Sequence, residues 1–168
     1  TTDQVVSLST TALSYLSTRG VSGFGSSQIV AMTTTQLTSL TSTKIMAMSG
    51  TQLGSLETGD FAILGETNLG SFSSAQVRGL TTTQLSNLST TALSNLNTKA
   101  IAGLTTVQIV ALTTTQAAGL TSTAVKALTT AQIAAMETVD VASLTDTNIA
   151  ALNSVQVRAL TTGQIIGL

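Results

Sequence analysis

One frame governs this chain: its 168 residues divide into 21 consecutive octads, from Thr1 to Leu168, without an insertion or deletion. The eighth position is always Leu, Met or Phe, from Leu8 and Leu16 through Phe24, Met32 and Phe72 to Leu160 and Leu168. The fifth is Val, Ile, Leu or Phe in every octad but one, where Ala117 stands. Ser or Thr opens 15 octads and Gln holds the fourth position in 11, while the seventh is mostly Ala, Gly or Ser. Self-similarity at so short a period marks a stacked array in which no unit can bury its apolar side chains alone.

The spacing selects the secondary structure. Apolar residues separated alternately by five and three, as in Leu104, Ile109, Leu112, Ala117 and Leu120, do not match the strict alternation of a half-buried strand. A continuous α-helix also fails, because eight residues rotate it by about 800° and the apolar stripe would drift by about 80° per octad. A short helix in each octad, with a bend where one octad meets the next, keeps both apolar positions on one side. The stretch LTTVQIVAL, Leu104 to Leu112, carries the matching start signals. Thr105 and Gln108 have the spacing of a capping box, and Leu104 and Ile109 that of a hydrophobic staple. Asn97 and Asn153 replace the hydroxyl cap with another side chain that caps well.

The predicted fold is an all-α repeat: a narrow solenoid of 21 helices of about six residues, with a Leu/Ile/Val core and a Thr/Ser/Gln surface. Burying two aliphatic side chains does not offset the cost of ordering eight backbones, so neighbours supply the balance by enclosing the apolar rows and adding backbone hydrogen bonds. Small seventh residues let the chain turn and let backbones approach. Three octads per turn is the simplest arrangement.

A longer period lies over the octads. Residues 1–80 and 81–160 align without gaps, with 39 of 80 positions identical, and 161–168 resembles the start of a third copy. STTALSYL at Ser9 returns as STTALSNL at Ser89, and SSAQVRGL ending at Leu80 returns as NSVQVRAL ending at Leu160. The domain organisation expected is one continuous solenoid, 1–168, containing this duplication.

Chemistry has little to work with. The chain has no His and no Cys, so the commonest general base, the thiolate nucleophile and the usual transition-metal ligands are missing. Each abundant hydroxyl has a capping role, and no enzyme is expected. A net charge of −1 and 8% charged residues leave no footprint for nucleic acid. No apolar run approaches the roughly 18 to 20 residues of a membrane helix. The only charged groups that cluster are carboxylates: Glu57, Asp60 and Glu66, repeated as Glu137, Asp140 and Asp146, each set accompanied by an Asn, Asn68 or Asn148. Oxygen ligands of this kind suit calcium, so these six residues are candidates for a weak cation site or a lateral contact, although acids near helix starts also simply complement the helix dipole. Arg78 and Arg158 recur in the following octad, where they either pair with the acids across a turn or face water. The second position is Ser or Thr in 18 octads, a hydroxyl ladder along the rod.

Strings such as LTTTQLSNL, LTTVQIVAL and LTTAQIAAM resemble the octapeptide repeats of very large secreted or surface proteins of proteobacteria, loosely grouped with giant adhesins. The resemblance spans the whole chain and carries over no binding or catalytic residue. It implies an extracellular or cell-surface location and a structural role as a fibre, sheath or stalk; separately, ends that share the octad phase lead to the expectation that the chain itself is the partner, head to tail or laterally. The alternative expectation is a lattice-binding surface, for example toward ice, carried by the hydroxyl ladder.

Overall fold

The computed structural model describes residues 1–168. Twenty α-helices and one 3-10 turn follow one another along the chain, with no strand. Helices of five or six residues occupy all the octads except two: 57–64 and 65–72 share an eleven-residue helix, Thr58–Asn68, followed by the 3-10 turn Leu69–Ser71. The expected 21 separate helices are therefore reduced by one fusion. Its cause is local. Gly65 opens its octad without a side chain, and Asn68 stands where a Gln would reach back to it, so neither half of a capping box exists to end one helix and begin the next.

Two extended residues make each corner. At Leu56, an eighth position, φ is −61° and ψ is 147°, and the first-position Ser49 has φ −72° and ψ 161°. No residue has a positive φ. The small seventh residues are thus not needed to turn the chain, contrary to part of the expectation above. Their use is close approach. A Cβ on Gly79 would strike the backbone of Gly50, one on Gly103 would meet Ser74, and one on Gly119 would press on Thr90. In each pair a seventh position lies against the second position three octads earlier.

Inside the turns, fifth- and eighth-position side chains, with the fourth-position Ala92, Ala100 and Ala124, form one cluster of 36 buried hydrophobic residues running from Val5 to Leu144. Phe61 and Phe72 belong to it, with ring centroids 6.5 Å apart. Each helix packs on the helix three octads further along, and polar contacts between turns join residues 25 to 31 apart. A turn therefore takes between three and four octads, somewhat more than the simplest arrangement.

Backbone hydrogen bonds do not join the turns. Outside the helices, each one spans three or four residues. This corrects the expectation that stacking adds backbone bonds. In an α-helix N–H and C=O point along the axis, and here the axes run around the turn, so little is left to face the next layer. Strands differ, since their backbone groups point sideways.

Two tests follow from this packing. Gly59 has nothing within 4 Å of an added Cβ, whereas Gly79 meets backbone. Gly59→Ala should stabilise by about 0.5–1 kcal/mol through helix propensity, and Gly79→Ala should destabilise by about 1–3 kcal/mol through overpacking, both read by thermal melts followed by circular dichroism. Ile109 is 2% exposed and Val107 67%. Ile109→Ala should cost about 2–5 kcal/mol and Val107→Ala less than about 0.5 kcal/mol in denaturant titrations.

Candidate functional site

The chemically specific part of the molecule is a ladder of side-chain amides. All eleven fourth-position Gln side chains reach back to the first residue of their own octad. Thr105 N, for example, donates to Gln108 Oε1 at 2.8 Å while Gln108 N donates to Thr105 Oγ1 at 3.2 Å. The same Gln has a second task that the capping box does not require. Gln108 Nε2 donates to the carbonyls of Val77 and Leu80, both at 2.8 Å, on the preceding turn. Gln36, Gln52, Gln76, Gln84, Gln116, Gln132, Gln156 and Gln164 do the same with carbonyls 28 to 31 residues earlier. These nine Gln residues are buried, which corrects the expectation that Gln belongs to the surface. An amide is the side chain that offers one acceptor and two donors together, and both halves are used.

Three of the substituted octads keep a donor, whereas Ala92, Ala124, Asp60 and Asp140 bring none to the preceding turn. Lys44, 6% exposed, directs Nζ to the carbonyls of Leu13 and Ser14 at 2.9 and 2.6 Å. Asn148 Nδ2 reaches the Leu120 carbonyl at 2.8 Å. Where Ala100 brings no donor, Asn97 from the same octad supplies one to the carbonyls of Gly70 and Phe72. Octads 9–16 and 17–24 have Ala12 and Gly20 at this position.

Sequence reasoning identified the Gln caps and missed the contacts between turns. The signal was present as an absence: a capping box accepts Glu as readily as Gln, yet Glu never occupies the fourth position. A carboxylate could cap but would bring no donor to the carbonyls below.

The six acidic candidates do not converge. No three of them form a group able to hold a metal ion. Glu57, Glu66, Glu137 and Asp146 are exposed, Asp60 is half-buried, and Asp140 is 2% exposed. Asp60 Oδ1 accepts a hydrogen bond from Thr34 Oγ1 at 2.7 Å, and Arg78 donates to the Gly103 carbonyl rather than to an acid. Asp60 and Asp140 occupy ladder positions. The second-position hydroxyl ladder is half-buried in six octads, as at Ser74 and Thr90, where the seventh position of a later turn lies against it, whereas the third position is exposed in all 21.

No helix is long and apolar enough to cross a membrane. Short capped helices, an apolar interior and side-chain bonds between turns define the molecule as an all-α repeat solenoid. The chain belongs to the ALTTAQ repeat family, whose repeat matches residues 53–90, 90–122 and 133–168, well over half of the sequence. Residues 127–132 read ALTTAQ literally, and four of the letters have a structural place: Ala127 at the small seventh position, Leu128 in the core, Thr129 as cap and Gln132 in the ladder. No curated protein and no solved structure matches the chain.

The ladder has an internal control. Gln4 lies on the first turn, exposed, with its Oε1 on the N-terminal amine. Replacing Gln108 by Glu should destabilise the rod by about 3 kcal/mol or more, since a buried acceptor then faces two carbonyls, while Gln4→Glu should stay within about 0.5 kcal/mol. Equal melting temperatures for the two variants would show that the interturn amide contributes nothing.

Proposed function

We propose that this protein is a structural, non-catalytic rod: a segment or subunit of an extracellular bacterial fibre, sheath or adhesin stalk that assembles head to tail. The observation that carries the reading is the translational repetition of the amide ladder. Every turn offers Gln donors toward the preceding turn and backbone carbonyls toward the following one, so any turn is a complete template for the next.

The outer turns keep those features unpaired. Gln4 and Gln28 have no turn beneath them for their Nε2 groups. At the other end, Val157, Ile165 and Leu168 are 47%, 55% and 56% exposed, although they occupy fifth and eighth positions that are buried through most of the rod. A stack in which each turn presents donors to one neighbour and carbonyls to the other is heterologous, and a contact of this kind does not close on itself, so it generates filaments. The uncharged hydroxyl coat suits a rod whose work is to be stiff and inert.

Electron microscopy of the purified chain tests the proposal. Filaments of variable length and the rod's diameter are expected, with their number reduced in a Gln4→Glu, Gln28→Glu double variant whose circular dichroism is unchanged. Particles of uniform length, one chain long at every concentration, would exclude head-to-tail assembly.

A further inference from the structure

The eleven-residue helix is the one departure from the octad rule, and its counterpart 80 residues on shows what the same sequence pattern does when the rule holds. Glu57, Thr58, Asp60, Thr67 and Asn68 recur as Glu137, Thr138, Asp140, Thr147 and Asn148. In the second copy the chain forms two helices, Thr138–Ala142 and Asp146–Ala150. Thr145 caps the latter by accepting from Asn148 N at 3.2 Å. Asn148 is then satisfied at both ends: Nδ2 donates to the Leu120 carbonyl at 2.8 Å and Oδ1 accepts from Ser122 Oγ at 3.1 Å.

In the first copy the equivalent groups are separated. Asn68 turns back on its own helix, donating from Nδ2 to the Leu64 carbonyl at 2.8 Å and to Thr67 Oγ1 at 2.9 Å. Its Oδ1 is the one buried side-chain polar atom in the chain without a partner, although Asn68 is only 5% exposed. Leu40 and Ser42, the counterparts of Leu120 and Ser122, lie across a cleft of about 210 Å³ lined also by Thr38, Ile63, Thr67 and Asn68. The long helix thus leaves open what the two-helix form fills.

We propose that residues 57–72 are a two-state joint in the rod: fused as one helix in this structure, and opening at Leu64–Gly65 into two octad helices, with Asn68 crossing to Leu40 and Ser42 and the cleft closing. Two opposing terms of the same order set the balance. Fusion leaves a buried acceptor unpartnered. Opening requires a helix start at Gly65, which has no hydroxyl for the Asn68 amide and forgoes a cap. Thr145 removes the second term, so the second copy has one state. A solenoid turn contacts only its neighbours, and the joint lets the rod yield locally without unstacking.

Residue 65 controls the joint in opposite directions. Gly65→Thr supplies the missing cap, and the Cβ that either variant adds meets Leu88 Cδ2, the far end of a flexible side chain, at 2.9 Å in the fused form. Gly65→Ala offers no cap and raises helix propensity, so it holds the fused helix once the flexible end of Leu88 shifts. Amide hydrogen exchange of the full chain by NMR reads the states directly. Glu66 and Thr67 are interior helical residues when fused, whereas Asp146 and Thr147, their counterparts, sit in a first turn whose N–H groups have no intrahelical partners. The wild-type amides of Glu66 and Thr67 should exchange at least about tenfold faster than those of Ala62 and Ile63, as expected of local opening. Gly65→Ala should slow them to the Ala62 rate, and Gly65→Thr should bring them to the Thr147 rate. Uniform protection from Ala62 to Thr67 in the wild type, unaltered by Gly65→Ala, would overturn the joint, and the Gly65→Ala arm decides the matter if the Thr variant does not fold.

Discussion

The structure depends on one side-chain group, the carboxamide at the fourth position of the octad. Its oxygen ends the helix start of its own octad, and its nitrogen holds the turn below. The first bond is local and common to many helices. The second is the only regular hydrogen bond between layers, because the backbone groups are spent along helix axes that run around each turn. A β-solenoid can rely on its backbone to register one layer on another. This α-solenoid has to use a side chain, and the requirement for donor and acceptor in one planar group explains why Gln is used repeatedly and Glu never.

Burial and polarity cooperate here rather than compete. The fifth and eighth positions supply most of the area removed from water, in a single cluster from Val5 to Leu144. That cluster is non-directional and would tolerate sliding between turns. The amide bonds set the register, since a shift by a residue removes both donors from the carbonyls they satisfy and leaves buried polar groups without partners. The seventh position adds a steric condition, bringing backbone against backbone where Gly79 meets Gly50. Lys44, Asn148 and Asn97 show that the lattice accepts any donor that reaches the same carbonyls.

The short helices and the apolar stripe were legible because they follow from spacing and from capping geometry within eight residues, as at Thr105 and Gln108. Even the irregular element has a local cause, visible at Gly65 and Asn68 once the role of the cap is considered. The acidic octads were legible as a recurring feature but not as a site. Their carboxylates are dispersed by the superhelix, and only Asp140 is deeply buried. The difference between Asn68 and Asn148, identical residues at equivalent positions, could not be read from either octad alone, because it rests on whether Leu40 or Leu120 is reached from a turn away.

By itself the sequence determined the repeat length, the helical character, the inward positions and the place of each cap, since these depend on torsions, side-chain reach and apolar spacing within a single octad. Tertiary structure alone decided how many octads complete a turn, that Gln faces inward, and which carbonyls its nitrogen meets. Those choices join residues 25 to 31 apart, and no local preference encodes such a distance; it is set by how far short helices with extended corners must travel before one layer comes to rest on the last.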